Sequence, residues 1–189
     1  MKLNLPNKLT ILRIIMIPIF VAVFYVDFPF HYLVSAIVFA LAAFTDFLDG
    51  KIARKYNLVT NLGKFLDPIA DKVLVSTALI LLLAPLGEAI MPWYMSIVVA
   101  IILARELMVS GFRMVAASKN VILSADKSGK IKTFCQDIAI LVLLIGACFM
   151  SGIYTVINIV GLSLLGVAGV LTIYSGTHYI VKNIDVLKD

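Results

Sequence analysis

Long apolar runs separated by short polar ones make up almost the whole chain. The runs cover residues 9–26, 30–49, 63–85, 92–117, 131–150 and 154–181. Each approaches the ~20 residues that carry a helix across a bilayer. In lipid the backbone must satisfy its own hydrogen bonds, so the runs are predicted to be helices. Between them lie polar pieces: a linker at 51–61, a short turn with Gly87 and Glu88, and a loop at 118–130 with Lys119, Asp126 and Lys127. Ser151-Gly152 is a further turn, and a charged tail follows Lys182. Residues 1–8, with Pro6-Asn7, are expected to lie along the interface and lead into the first helix. The pattern gives an all-α polytopic membrane protein of six transmembrane helices, folded as a single domain over residues 1–189.

Composition agrees and removes alternatives. Apolar residues make up 62% and charged residues 14% of the 189, against ~25% charged in a soluble domain. Mean hydropathy is +1.06. The first run has the position of a signal peptide, but Arg13 and Pro18 lie inside it without a small-residue cleavage site, so it is kept as a mature span. Cys135 and Cys148 share one apolar run at thirteen residues' spacing and read as packing residues. His31 and His178 fall at span ends, and Trp93 with nearby Tyr and Phe suggests an aromatic belt. Gly161, Gly166 and Gly169 with Ser163 suggest close helix contact on the last span, a candidate dimer interface.

Charge fixes an expected orientation. Six spans put both termini and the 51–62 and 118–130 segments on one side. All 16 lysines and arginines fall on or near it, while Asp27, His31 and Glu88 are the polar candidates opposite. Basic residues favour the cytoplasm, so both termini are expected there. The net charge of +5 then describes a face suited to anionic headgroups and phosphorylated substrates. No nucleic-acid partner is expected.

The chemistry concentrates between Asp46 and Asp71. The stretch reads D-F-L-D-G-K-I-A-R, eight residues, then G-K-F-L-D-P-I-A-D. Asp46 and Asp49 are spaced i, i+3, and Asp67 and Asp71 i, i+4, so on helices each pair projects from one face. Two such helices gather four carboxylates, an arrangement that hard divalent cations resolve. Thr10 and Arg13 near the start of span one, Arg105, Glu106 and Arg113 late in span four, and Lys130, Lys132, Thr133, Gln136 and Asp137 early in span five lie at similar depth. Acidic residues for metal beside basic residues for anions suit phosphoryl or phosphatidyl transfer. A carboxylate not used by metal can take a proton from an attacking hydroxyl. Arg54 has the fork geometry for a phosphate; Gly50, Gly63 and Ala53 leave room for a close approach. Other readings remain at this point: Thr10 as a helix-start residue, Arg13 as a snorkelling side chain, Arg105, Arg113, Lys130 and Lys132 as interfacial anchors, Glu106 as the partner of a basic neighbour. A divalent-cation transporter or a membrane scaffold are the competing functions.

The pattern D-x-x-D-G-x-x-A-R, eight residues, G-x-x-x-D-x-x-x-D resembles the signature of the CDP-alcohol phosphotransferase family at every fixed position. N-L-P-N-K-L-T-I-L-R near the start, G-K-I-K-T at 129–133 and the A-R-E-L and G-F-R segments are similar to the bacterial branch that uses glycerol 3-phosphate. The resemblance implies a six-helix homodimer with its active site at the cytoplasmic membrane face. It implies Mg²⁺ or Mn²⁺, two ions, held by Asp46, Asp49 and Asp67 with Asp71 nearby as general base. Gly50, Ala53, Arg54 and Gly63 would line the CDP part, with Thr10 and Arg13 as further donor contacts. Arg113 and Lys132, then Arg105 and Lys130, are the candidates for the acceptor phosphate. The implied substrates are CDP-diacylglycerol and glycerol 3-phosphate. Relatives using other acceptors, for phosphatidylserine, cardiolipin or phosphatidylinositol phosphate, share the aspartates.

Overall fold

The computed structural model describes residues 4–56, 60–83, 90–119, 121, 127–149 and 151–184. Among them there are six helices and no strands: α1 (Leu5–Tyr25), α2 (His31–Lys55), α3 (Asn61–Leu83), α4 (Met95–Ser118), α5 (Lys127–Gly146) and α6 (Ser151–Lys182). The turn residues Gly87 and Glu88, the loop residue Asp126 and the tail from 185 onward lie outside the described residues.

Helix ends depart from the sequence expectation for local reasons. Pro6 stands in the first turn of α1, where its missing N–H costs nothing, so α1 begins at Leu5, before the apolar run. α2 continues through Lys55, shortening the expected linker. Thr60 caps α3: its Oγ1 accepts the Gly63 N–H at 3.0 Å, the N-cap to N3 bond that satisfies an orphan donor. Ser151-Gly152 opens α6 instead of turning the chain; the turn falls at Ala147-Cys148. Pro18 and Pro68 both lie inside helices, freeing the carbonyls of Ile14 and Lys64.

Neighbour contacts close the six helices into a ring, α1–α2–α5–α6–α4–α3, and α3 also touches α2 and α5. One apolar core draws on all six: Phe20 and Phe24, Ala36 and Phe39, Leu74 to Leu82, Val99 and Ile102, Ala139 to Leu144, and Leu165. These are the late halves of α1, α3 and α5 and the early halves of α2, α4 and α6. Successive helices therefore run in opposite directions, and the core fills one end of the bundle. Most of the charged residues of the helices collect at the other, while Ser35 and Asn158 are buried polar residues at the core end.

Glycines seat α6. A Cβ on Gly161 would fall 2.7 Å from Leu143 Cγ, on Gly169 2.8 Å from Val98 Cγ1, and on Gly176 2.8 Å from Arg105 Cγ. The close helix contact expected at Gly161 and Gly169 is thus within the chain, to α5 and α4, whereas Gly166 faces open space. The outer surface is apolar: Ile97, Val156, Val160 and Val170 are exposed, as is Leu107 at 72%. In water such a surface would aggregate; in lipid it is the solvated face. Among the described residues, four helices are long and apolar enough to cross a membrane: α1, α2, α4 and α6. α3 and α5 carry charges in their early turns, and several of these face the cavity described next. The chain is a multi-pass membrane protein.

Candidate active site

The polar end is organised around two side chains of α1. Arg13 is fully buried at 0% exposure. Its Nη1 donates to Asp46 Oδ1 at 2.7 Å and its Nη2 to Asp49 Oδ2 at 2.6 Å. Nε faces the Ala42 carbonyl at 3.3 Å and Thr45 Oγ1 at 3.4 Å. The planar fork reads both aspartates of α2 at once, which an i, i+3 pair on one helix face permits. One turn earlier, Thr10 Oγ1 donates to Asp67 Oδ1 of α3 at 2.6 Å and lies 3.5 Å from Asp49 Oδ2. Arg13 is therefore no snorkelling residue, and Thr10 is more than a helix-start residue. Together they hold the carboxylates of α2 and α3 to α1.

Gly63 completes this junction. A Cβ there would meet Asn7 Oδ1 at 3.0 Å and Thr60 Oγ1 at 3.3 Å, while Thr60 Oγ1 donates to Asn7 Oδ1 at 2.9 Å. The close approach expected of Gly63 is met by the chain's own α1. Gly50 follows Asp49 in α2. The side chains of Ala53 and Arg54 lie outside the described residues.

Beside this junction opens a cavity of about 1200 Å³. Asp46 and Asp71 line it on the acidic side; Arg105, Arg113 and Lys130 line it from α4 and α5. Asp46 is 44% exposed and Asp49 only 2%. The four aspartates therefore divide into two that face the cavity and two, Asp49 and Asp67, gripped behind it by Thr10 and Arg13.

The cationic wall is held in place by α6. Arg105 Nη2 donates to Ser175 Oγ at 3.0 Å. Arg113 Nε donates to Tyr179 Oη at 3.2 Å, and the guanidinium carbon lies 5.3 Å from the Tyr179 ring centroid. Lys130 is exposed at the rim. Lys132 differs from its expected place: it is fully buried, pairs with Glu106 of α4, and is not among the cavity-lining residues. Glu106 also stands 4.0 Å from Arg105, so it is the counter-charge of the basic wall. Sequence reasoning missed Lys72 and Tyr179, both lining the cavity. Lys72 adjoins Asp71, a neighbour relation that pointed to it; Tyr179 sits in an apolar run with no local signal.

Among the described residues, no three acidic, histidine or cysteine side chains stand close enough as arranged to grip one ion. Arg13 and Thr10 take up oxygens that a cation would use. The donor set itself fits a hard divalent cation: carboxylates from two helices converge on the same two side chains of α1, with no soft ligand among them.

Known proteins are similar to this chain in sequence. The family model for CDP-alcohol phosphatidyltransferase matches residues 3–174. A Rickettsia bellii protein named CDP-diacylglycerol–glycerol-3-phosphate 3-phosphatidyltransferase is 44% identical, over 93% of each chain. Proteins of the same name from Bacillus subtilis and Salmonella paratyphi A are 41% and 38% identical, covering 98% and 95% of this chain and 97% and 94% of their own. Family members are in general divalent-cation dependent. With its signature aspartates gathered at one polar end of an all-helical bundle, the chain belongs to the CDP-alcohol phosphatidyltransferase family.

Proposed function

We propose that this chain moves the phosphatidyl group of CDP-diacylglycerol to glycerol 3-phosphate, forming phosphatidylglycerol phosphate and CMP. The observation that carries the reading is one open cavity with Asp46 and Asp71 on one side and Arg105, Arg113 and Lys130 on the other. The names of the relatives supply the substrates.

In this reading the primary hydroxyl of glycerol 3-phosphate attacks the β-phosphorus of CDP-diacylglycerol. The new P–O bond forms as the bond to the CMP oxygen breaks, and Asp71 takes the hydroxyl proton. Asp46, Asp49 and Asp67 would hold Mg²⁺ or Mn²⁺, two ions, with Asp71 beside them; bound there, the cations would neutralise the diphosphate and the charge on the leaving CMP. Thr10 and Arg13 orient the carboxylates from behind. Gly50, Ala53, Arg54 and Gly63 are assigned to the CDP side. Arg113, Arg105 and Lys130 bind the acceptor phosphate, and Lys132 supports that wall through Glu106. Arg113 presents a fork suited to phosphate.

The single domain spans residues 1–189 with all six helices crossing the bilayer. α3, at 23 residues, is about 34 Å long at 1.5 Å per residue, enough to cross despite its charged start. The cavity and both termini face the cytoplasm, where the basic residues gather. The working unit is a homodimer.

The test is CMP release from CDP-diacylglycerol by purified protein with Mg²⁺ or Mn²⁺ and one acceptor at a time. Release with glycerol 3-phosphate alone is expected. Release only with serine, phosphatidylglycerol or inositol phosphate would keep the family and overturn the acceptor.

A further inference from the structure

Asp137 is an acid of the cavity wall to which the proposed mechanism gives no role. It stands at the middle of α5 and lines the cavity that Asp71 and Arg113 also line. Its Oδ1 is shielded from solvent and has no hydrogen-bond partner among the described residues. The basic residue of its own helix nearest in sequence, Lys132, is committed to Glu106. A buried acceptor without a donor is costly, and a native structure tolerates one where a ligand supplies the donor.

The cavity's charges say what that ligand group is. Arg105, Arg113 and Lys130 attract a phosphate; a carboxylate repels one. An uncharged ligand group that meets Asp137 must donate a hydrogen bond. Under the phosphatidyl-transfer reading, on which this inference rests, the acceptor carries two hydroxyls. One reacts and gives its proton to Asp71. The other, on the middle carbon, has no assigned partner.

We propose that Asp137 determines acceptor specificity by accepting a hydrogen bond from the non-reacting hydroxyl of the acceptor. Three contacts then fix the acceptor: phosphate on the cationic wall, reacting hydroxyl at Asp71, middle hydroxyl at Asp137. Three points distinguish a polyol phosphate from a simple hydroxyalkyl phosphate, which two points do not.

The experiment compares glycerol 3-phosphate with 3-hydroxypropyl phosphate, which keeps the phosphate and the primary hydroxyl and lacks the middle one. CMP release gives kcat/KM for each with the wild-type protein, Asp137→Ala and Asp137→Asn. The wild-type protein is expected to prefer glycerol 3-phosphate by about tenfold or more, because a site built for a hydroxyl rejects the analogue that lacks it. Asp137→Ala is expected to lose that preference through a fall with glycerol 3-phosphate alone. Asp137→Asn, whose amide oxygen still accepts, is expected to keep part of it and guards against a folding defect in the alanine variant. Equal losses with both acceptors in both variants would make Asp137 a structural residue and overturn the proposal, as would an unchanged preference. Absence of CMP release by the wild-type protein would sink the transfer reading itself, and this assignment with it.

Discussion

Arg13 shows how a carboxylate cluster persists in an apolar bundle. Asp49 is nearly out of solvent, and four acids within one corner would repel in a low dielectric. The guanidinium answers both aspartates of α2, and Thr10 ties in Asp67 of α3. Replacing Arg13 by Ala leaves Asp49 buried and uncompensated, so a stability loss of about 3–5 kcal/mol is expected, read as a lowered unfolding midpoint in detergent. Arg13→Lys is expected to recover less than half, since one ammonium lacks the fork that spans two carboxylates. A melting midpoint unchanged in Arg13→Ala would show that the buried pair does not hold the junction. At this scale the aspartate pairs were legible because i, i+3 and i, i+4 spacing is local information. The partners were not: Arg13 and Asp46 are 33 residues apart, and Lys132 and Glu106 are 26 apart. Which basic residue neutralises an acid and which stays open to a ligand is decided by helix packing, so Lys132, expected at the cavity, is found spent on Glu106.

Among the elements, α3 carries most of the site's geometry. It touches α1, α2, α4 and α5, and its first turns bear Gly63, Asp67 and Asp71. Its start is set by Thr60, which caps Gly63 N–H and bonds Asn7 of α1. Thr60→Ala is expected to cost about 1 kcal/mol through the lost cap and to lower turnover by loosening Asp67, with Thr60→Ser restoring both. Full stability and turnover in Thr60→Ala would assign the start of α3 to packing alone. The cap could not be read from the apolar pattern, which begins later, at residue 63. The same blindness placed the start of α5 late: its early turns hold Lys127, Lys130 and Lys132, charges that look like loop in the sequence. Helix number and order, by contrast, were legible because each apolar run is long compared with the error at its ends.

The whole molecule is two halves with different duties. An apolar core from all six helices fixes the bundle at one end. At the other, the same helices line with both acids and cations a cavity large enough for a headgroup and a small phosphate. In the proposed reading a membrane-bound donor would reach that cavity from the lipid side and a water-soluble acceptor from the open end. The most direct measurement is transfer of labelled glycerol 3-phosphate into lipid by purified protein in CDP-diacylglycerol vesicles with Mg²⁺, beside Asp71→Asn. The wild-type protein is expected to make labelled phosphatidylglycerol phosphate and CMP in equal amounts. Asp71→Asn is expected to bind CDP-diacylglycerol with metal and make neither. Undiminished transfer by Asp71→Asn would remove the base from the mechanism, and no labelled lipid from folded wild-type protein would contradict phosphatidyl transfer at this cavity.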